Sequence, residues 1–161
     1  MREVVADTGA LISLEKITNG YQFIRELYDK IYIPPMVLRE VAYHYESGDQ
    51  YLKEYGIENL VVIEEVRNLD TFRRSLHAGE QFALSLAIQK QLPLLIEEIQ
   101  GAKEAFDLGI SVFGIGGLIA KSFHKNIIPR DEAEKLLLEL VQHERISKEF
   151  HQRIIEDHFN I

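Results

Sequence analysis

The chain has 161 residues, 46% of them apolar, with ten glycines, four prolines and no cysteine. That length suits one domain with a single core, and the composition excludes a disordered or fibrous chain, disulfides and thiolate metal sites. With 26 acidic residues against 18 basic ones the formal charge is −8, so the overall field repels polyphosphates and any contact with nucleic acid must be local.

The first predicted element is EVVA, residues 3–6, a short buried strand: β-branched residues cluster and Asp-Thr-Gly follows at once. A helix is predicted from near Ala10 through ALISLEKI, with Asn19-Gly20 as its C-cap signal, and YQFIRELY predicts a second helix. KIYIPP reads as a strand stopped by two prolines, and Pro35 suits the first turn of a helix over MVLREVAYHY. ENLVVIEEV, GEQFALSLAIQKQ and LPLLIEE predict a strand, an apolar helix and a fourth strand. QGAKEAFDLG and ISVFGI follow as a short helix and a fifth strand. GIGGL, residues 114–118, lacks the G-x-G-x-x-G spacing of a dinucleotide fingerprint and reads as a close-packed strand-to-helix turn. From Pro129 the pattern is helical only, in RDEAEKLLLELVQHE and SKEFHQRIIEDHF. These helices are expected to form a C-terminal appendage, residues 129–161, packed on one domain that spans 1–161.

Strands alternating with helices point to parallel βαβ units with right-handed crossovers, hence an open α/β sheet with helices on both faces. Apolar runs such as LPLLI and LVVI fall far short of the roughly 20 residues that cross a bilayer. The opening MREVVAD lacks the hydrophobic region of a signal peptide, so a cytoplasmic protein without membrane contact is expected.

In open parallel sheets, ligands bind beyond the carboxyl ends of the strands, where strand order reverses. Asp7 ends the first predicted strand, and Glu97 and Glu98 end the fourth; their acidic ends meet only if those strands are neighbours. Glu40 lies about 60° outside the apolar stripe formed by Val37, Leu38, Val41 and Tyr45. Glu80 follows Gly79 at a helix start, where the helix dipole favours an anion. Each glutamate also has a plainer reading as a first-turn charge, an exposed helix edge or a loop solubiliser. Asp7 is harder to dismiss, because capping explains it only if the helix starts at Thr8, and Thr8 caps well itself. Carboxylates crowded at one spot raise one another's pKa unless a hard divalent cation sits among them, and without cysteine the set suits Mg²⁺ or Mn²⁺. Such an ion orients a water for attack on a phosphodiester and neutralises charge on the departing oxygen. The basic points Arg73 with Arg74, Lys121 with Lys125, and Arg130 read first as solvated surface charge.

Taken in order, VVADTGALISL, IPPMVLREV, HAGEQFALSLA, LLIEEIQGAKEAFDLGISVFGIGGL and ERISKEFHQRII resemble the PIN-domain family, in its branch of compact bacterial and archaeal proteins akin to VapC toxins. The resemblance implies a three-layer α/β fold with a parallel sheet of order 3-2-1-4-5. It also implies a ribonuclease whose acids hold Mg²⁺ or Mn²⁺, and family acids that fall on Asp7, Glu40, Glu80 and Glu98, with Glu97 as the alternative fourth. An RNA substrate, a small antitoxin partner and a homodimer are implied with it. Two departures stand out. The fourth acid is Glu rather than the family's frequent Asp, preceded by Ile96 where Thr or Ser is common. The Arg often found just past it is absent, leaving Lys103 as the nearest cation in sequence. The same features suit an alternative, a PIN-like binding module that has lost catalysis. A phospho-acceptor receiver domain shares the alternating pattern but wants an Asp ending the third strand, where this chain has VIEEV.

Overall fold

The structure, a computed structural model, describes residues 1–159. Its first strand, β1 (Glu3–Ala6), buries Val4, Val5 and Ala6 completely, as a strand covered on both faces must. β1 pairs in parallel with β2 (Lys30–Ile33) on one side and β4 (Leu94–Leu95) on the other. With β3 (Val61–Ile63) and β5 (Val112–Phe113) these make a five-stranded parallel sheet of order β3-β2-β1-β4-β5, the predicted arrangement. Val5 stands opposite both Tyr32 and Leu94, and Leu95 opposite Phe113. The last two strands are short, but backbone bonds extend their ladder: Asp7 N donates to Leu95 O at 3.0 Å and Ile96 N to Phe113 O at 3.0 Å.

The chain winds outward from β1 to β3, then returns over α5 (Ala78–Lys90) to β4 on the far side of β1. Strand order therefore reverses between β1 and β4, and a crevice opens at their carboxyl ends. Around the sheet lie α1 (Thr8–Lys16), α2 (Gly20–Arg25), α3 (Pro35–Val41), α4 (Gly48–Glu54), α6 (Ile99–Asp107), α7 (Ile115–His124), α8 (Arg130–Gln142) and α9 (Lys148–His158).

Three local expectations fail, each for a physical reason. α1 starts at Thr8 rather than near Ala10, because the Asp7 side chain caps it. Asn19-Gly20 does not end α1, which stops at Lys16; Asn19, at φ 53°, turns the chain straight into α2. Gly20 is there for proximity, since a Cβ on it would run into the Leu14 carbonyl. The helix read over MVLREVAYHY ends at Val41, and a separate α4 follows, capped by Ser47 accepting from Gln50 N at 3.1 Å. Tyr45 thus leaves the α3 stripe and packs edge-on against Tyr51, ring centroids 5.2 Å apart.

The C-terminal helices share the core. Leu136, Leu137 and Leu140 of α8 are buried, α8 contacts α7 and α1, and Phe123 of α7 stacks on Phe159 with centroids 4.6 Å apart. Residues 160–161 of the expected appendage lie outside the described residues. Among the described residues no helix is long and apolar enough to cross a membrane.

Candidate active site

Asp7 stands between the end of the central strand and α1, as the N-cap of that helix. Its Oδ1 accepts from Ala10 N at 2.8 Å, and only 2% of the residue is exposed. Burial pushes its carboxyl up to about 7; the charges of Glu97 and Glu80 push the same way, while the amides of Ala10 and Glu97 pull it back. A neutral serine or threonine would cap this helix without such a penalty.

Glu97 leaves the end of β4 half-buried. One carboxylate oxygen accepts from Ile115 N at 2.7 Å, at the start of α7, and the other from the buried Ser13 hydroxyl at 3.3 Å. Burial raises its pKa, and those bonds and the Arg145 charge oppose the rise. Glu98 turns aside to cap α6, its Oε2 accepting from Gly101 N at 2.8 Å. Two consecutive glutamates thus face different neighbours, because the chain changes from strand to helix between them.

Glu80 lies in the first turn of α5, in a capping box: its Oε2 accepts from His77 N at 3.0 Å. Burial first, then Glu98 and Glu40, raises its pKa against the pull of His77. Glu40, exposed on the last turn of α3, accepts from the Thr8 hydroxyl at 2.6 Å. Gly79 lets α5 come this close to α3, since a Cβ on it would collide with Glu40 Oε1 and stand 3.0 Å from Thr8 Oγ1.

All five predicted carboxylates, Asp7, Glu40, Glu80, Glu97 and Glu98, line one cleft of about 390 Å³ at the carboxyl end of β1 and β4. Surface hollows of 420 and 450 Å³ elsewhere are larger but hold no such cluster, so composition rather than size distinguishes this cleft. Its two basic residues, His77 and Arg145, were not singled out from the sequence. Arg145, 132 residues from Ser13 in sequence, enters from the turn between α8 and α9 and donates to the Ser13 hydroxyl at 3.0 Å and to Gly9 O at 3.0 Å. The signal was present in ERIS, but nothing local ties that segment to α1. Lys103, exposed on α6, does not line the cleft, and the arginine that does is Arg145.

The other basic points lie outside the cleft. Arg74 pairs with Glu104 at 3.0 Å and Asp107 at 2.7 Å, Arg130 with Glu134 at 2.9 Å, and Lys121 lies over the Phe113 ring. GIGGL forms the entry to α7: Gly114 is the N-cap and Gly116 faces Phe150 and Ile154.

The sequence matches the DUF3368 family of PIN domains over residues 3–159. The chain belongs to the PIN-domain family. PIN domains are generally nucleases that bind nucleic acid and depend on a divalent metal. Among solved structures, a PilT N-terminus domain protein from the hyperthermophilic archaeon Sulfolobus solfataricus P2 is similar, with 18% identity and a TM-score of 0.52, over 74% of this chain and 92% of that one. No curated protein sequence matches.

The donor chemistry of this PIN cleft fits a hard cation: five carboxylates, no sulfur, and acids that raise one another's pKa. Among the described residues no three such side chains are already drawn together as an ion cage. Glu80 and Glu98 each commit one oxygen to a helix cap, whereas Glu97 commits both.

Proposed function

We propose that this PIN domain, as one unit over residues 1–161, is a Mg²⁺- or Mn²⁺-dependent endoribonuclease of the VapC-like toxin type. The observation that carries the reading is Asp7: a buried carboxyl, pushed up to about 7, at the strand-order reversal and beside four glutamates. Asp7 and Glu98 are the principal metal ligands in this reading, with Glu80 and Glu40 binding directly or through water. Glu98 is preferred to Glu97 because it keeps an oxygen uncommitted by the bonds above. A bound ion would supply an oriented, activated water and would neutralise charge at the scissile phosphodiester. Asp7 and the glutamates would hold that ion in the cleft that an RNA strand enters.

A small antitoxin that lays a basic segment over the acidic cleft, a homodimer and a cytoplasmic location belong to the same reading; the resemblance supports them, and the cleft's charge suits such a segment. A second reading, a binding module without catalysis, is favoured by one observation: Asp7, Glu80, Glu97 and Glu98 all accept hydrogen bonds from backbone amides that an idle site would keep. The deciding experiment incubates purified protein with structured RNA in Mn²⁺, in Mg²⁺ and in chelator. Metal-dependent cutting lost in Asp7→Asn and Glu80→Gln supports the nuclease; RNA binding with no cutting in either metal supports the module.

A further inference from the structure

An acidic cleft poses a problem for an enzyme whose substrate is a polyanion. The chain carries a net −8, and five carboxylates line the cleft, so a phosphate arriving there meets repulsion from every side but one. That side is Arg145, the cleft's permanent cation.

Three of the chain's other arginines carry direct ion pairs, and what sets Arg145 apart from the remaining ones is its place in the cleft. Arg2, Arg74 and Arg130 pair with carboxylates, at 3.6, 2.7 and 2.9 Å. Arg145 forms no ion pair among the described residues; its Nε and Nη2 are held by neutral acceptors, the Ser13 hydroxyl and Gly9 O. Two bonds, from Nε and Nη2, fix the guanidinium, while the charge reaches Glu97 without a direct ion pair and part of the donor set stays unused. Ser13 in turn donates to Glu97, which accepts from Ile115 N, so the guanidinium is braced through α1 to the end of β4 and the start of α7. Arg145 is half-buried, where water screens its charge less than at an open surface. A braced, unpaired, half-buried guanidinium at the rim of a metal-type cleft has the chemistry of a phosphate receptor.

We infer that Arg145 receives a backbone phosphate of a single RNA strand and so sets the register of that strand against Asp7 and Glu98. This rests on the ribonuclease reading above. The Ser13 and Gly9 contacts serve as its brace, and a fork serves the role better than a point charge, which keeps the charge but not the paired donors.

The test is fluorescence anisotropy of a labelled single-stranded RNA with Ca²⁺ in place of Mg²⁺, across a KCl series, for the wild type, Arg145→Met and Arg145→Lys. Cleavage in Mn²⁺ and melting temperature are measured alongside. The Met variant is expected to bind about tenfold more weakly, as loss of a charged hydrogen-bonding partner implies. Its slope of log Kd against log salt should flatten by about 0.7, the share of one phosphate on a single strand. The Lys variant should keep the wild-type slope at intermediate affinity. A purely structural role would lower the melting temperature and leave the slope alone; that result, or a Lys slope equal to that of the Met variant, overturns the inference while the wild type still cuts RNA. A wild type that neither binds nor cuts RNA overturns the reading beneath it, and the inference with it.

Discussion

Asp7 accepts a 2.8 Å hydrogen bond from Ala10 N while almost wholly withdrawn from water, so one side chain both caps α1 and carries a buried ionisable group. The cap stabilises the fold and the buried charge opposes it. The group's pKa rises from 3.8 in the unfolded chain to about 7 in the fold. Below 3.8 the group is protonated in both states and exacts no penalty. As pH climbs, the unfolded chain ionises first, and stability falls until the folded pKa is passed, by about 4 kcal/mol in all.

Asp7→Asn keeps a good capping side chain and removes the titration. In chelator at pH 8 the variant is therefore expected to melt above the wild type, and the two should converge near pH 4. With Mn²⁺ the gap should narrow by more than half, since an ion at a hundredfold excess over its Kd adds about 2.7 kcal/mol to the wild type alone. Thermal melts over pH, with metal and with chelator, check both halves. Equal metal-induced shifts in the two proteins would remove Asp7 from the metal site.

Glu80→Gln is the cleanest separation of fold from chemistry. Glutamine also completes a capping box, so the 3.0 Å bond from His77 N has a replacement acceptor and the melting temperature should change little. One charge disappears from the cleft with almost no change in volume. Metal-dependent cleavage should drop by about a hundredfold or more. Undiminished cutting by a well-folded variant would exclude Glu80 from the site.

Gly79→Ala tests the approach of α5 to α3. The added methyl meets Glu40 Oε1 and the Thr8 hydroxyl, so either the 2.6 Å Thr8–Glu40 bond breaks or the helices part. About 1–3 kcal/mol of stability should be lost, as for other overpacked contacts, and cleavage should fall with it. If chemical denaturation gives an unchanged midpoint, the contact is softer than the geometry implies.

The sheet was legible because its strands are apolar, separated by turn chemistry, and few ways exist to wind such a pattern. The acids Asp7, Glu80, Glu97 and Glu98 were legible because each sits where an element begins or ends, a boundary that local residues define. What escaped depended on distance or on proximity. Nothing around Arg145 reveals that it meets Ser13, and Gly20 resembles a helix stop until Leu14 is seen beside it. The break after Val41 was hidden because Ala42-Tyr43-His44-Tyr45 has no helix breaker, and the tyrosine cluster that draws Tyr45 away comes from later residues.

The consecutive glutamates after β4 allow the fourth acid to be assigned by experiment. Glu98 caps α6 through one oxygen, and aspartate is itself a favoured cap, so Glu98→Asp should leave stability nearly unchanged. The same substitution draws the carboxylate back by about 1.5 Å, well beyond the roughly 0.5 Å tolerance of a catalytic constellation. Glu97→Asp should behave in the opposite sense. Its two oxygens hold Ile115 N at 2.7 Å and the Ser13 hydroxyl at 3.3 Å, and a shorter side chain leaves these buried partners unsatisfied, costing about 1–3 kcal/mol. Melting temperature and Mn²⁺-dependent cleavage, measured on both variants, therefore separate the roles. If Glu98 holds the metal, its variant changes cleavage by at least about tenfold, some 1.4 kcal/mol in barrier, with little change in melting. The direction reports history: a gain means that the cleft had drifted from the shorter acid, and a loss means that the backbone has adapted to glutamate. A Glu98 variant that cuts at the wild-type rate beside a Glu97 variant that melts normally but cuts slowly would transfer the metal to Glu97.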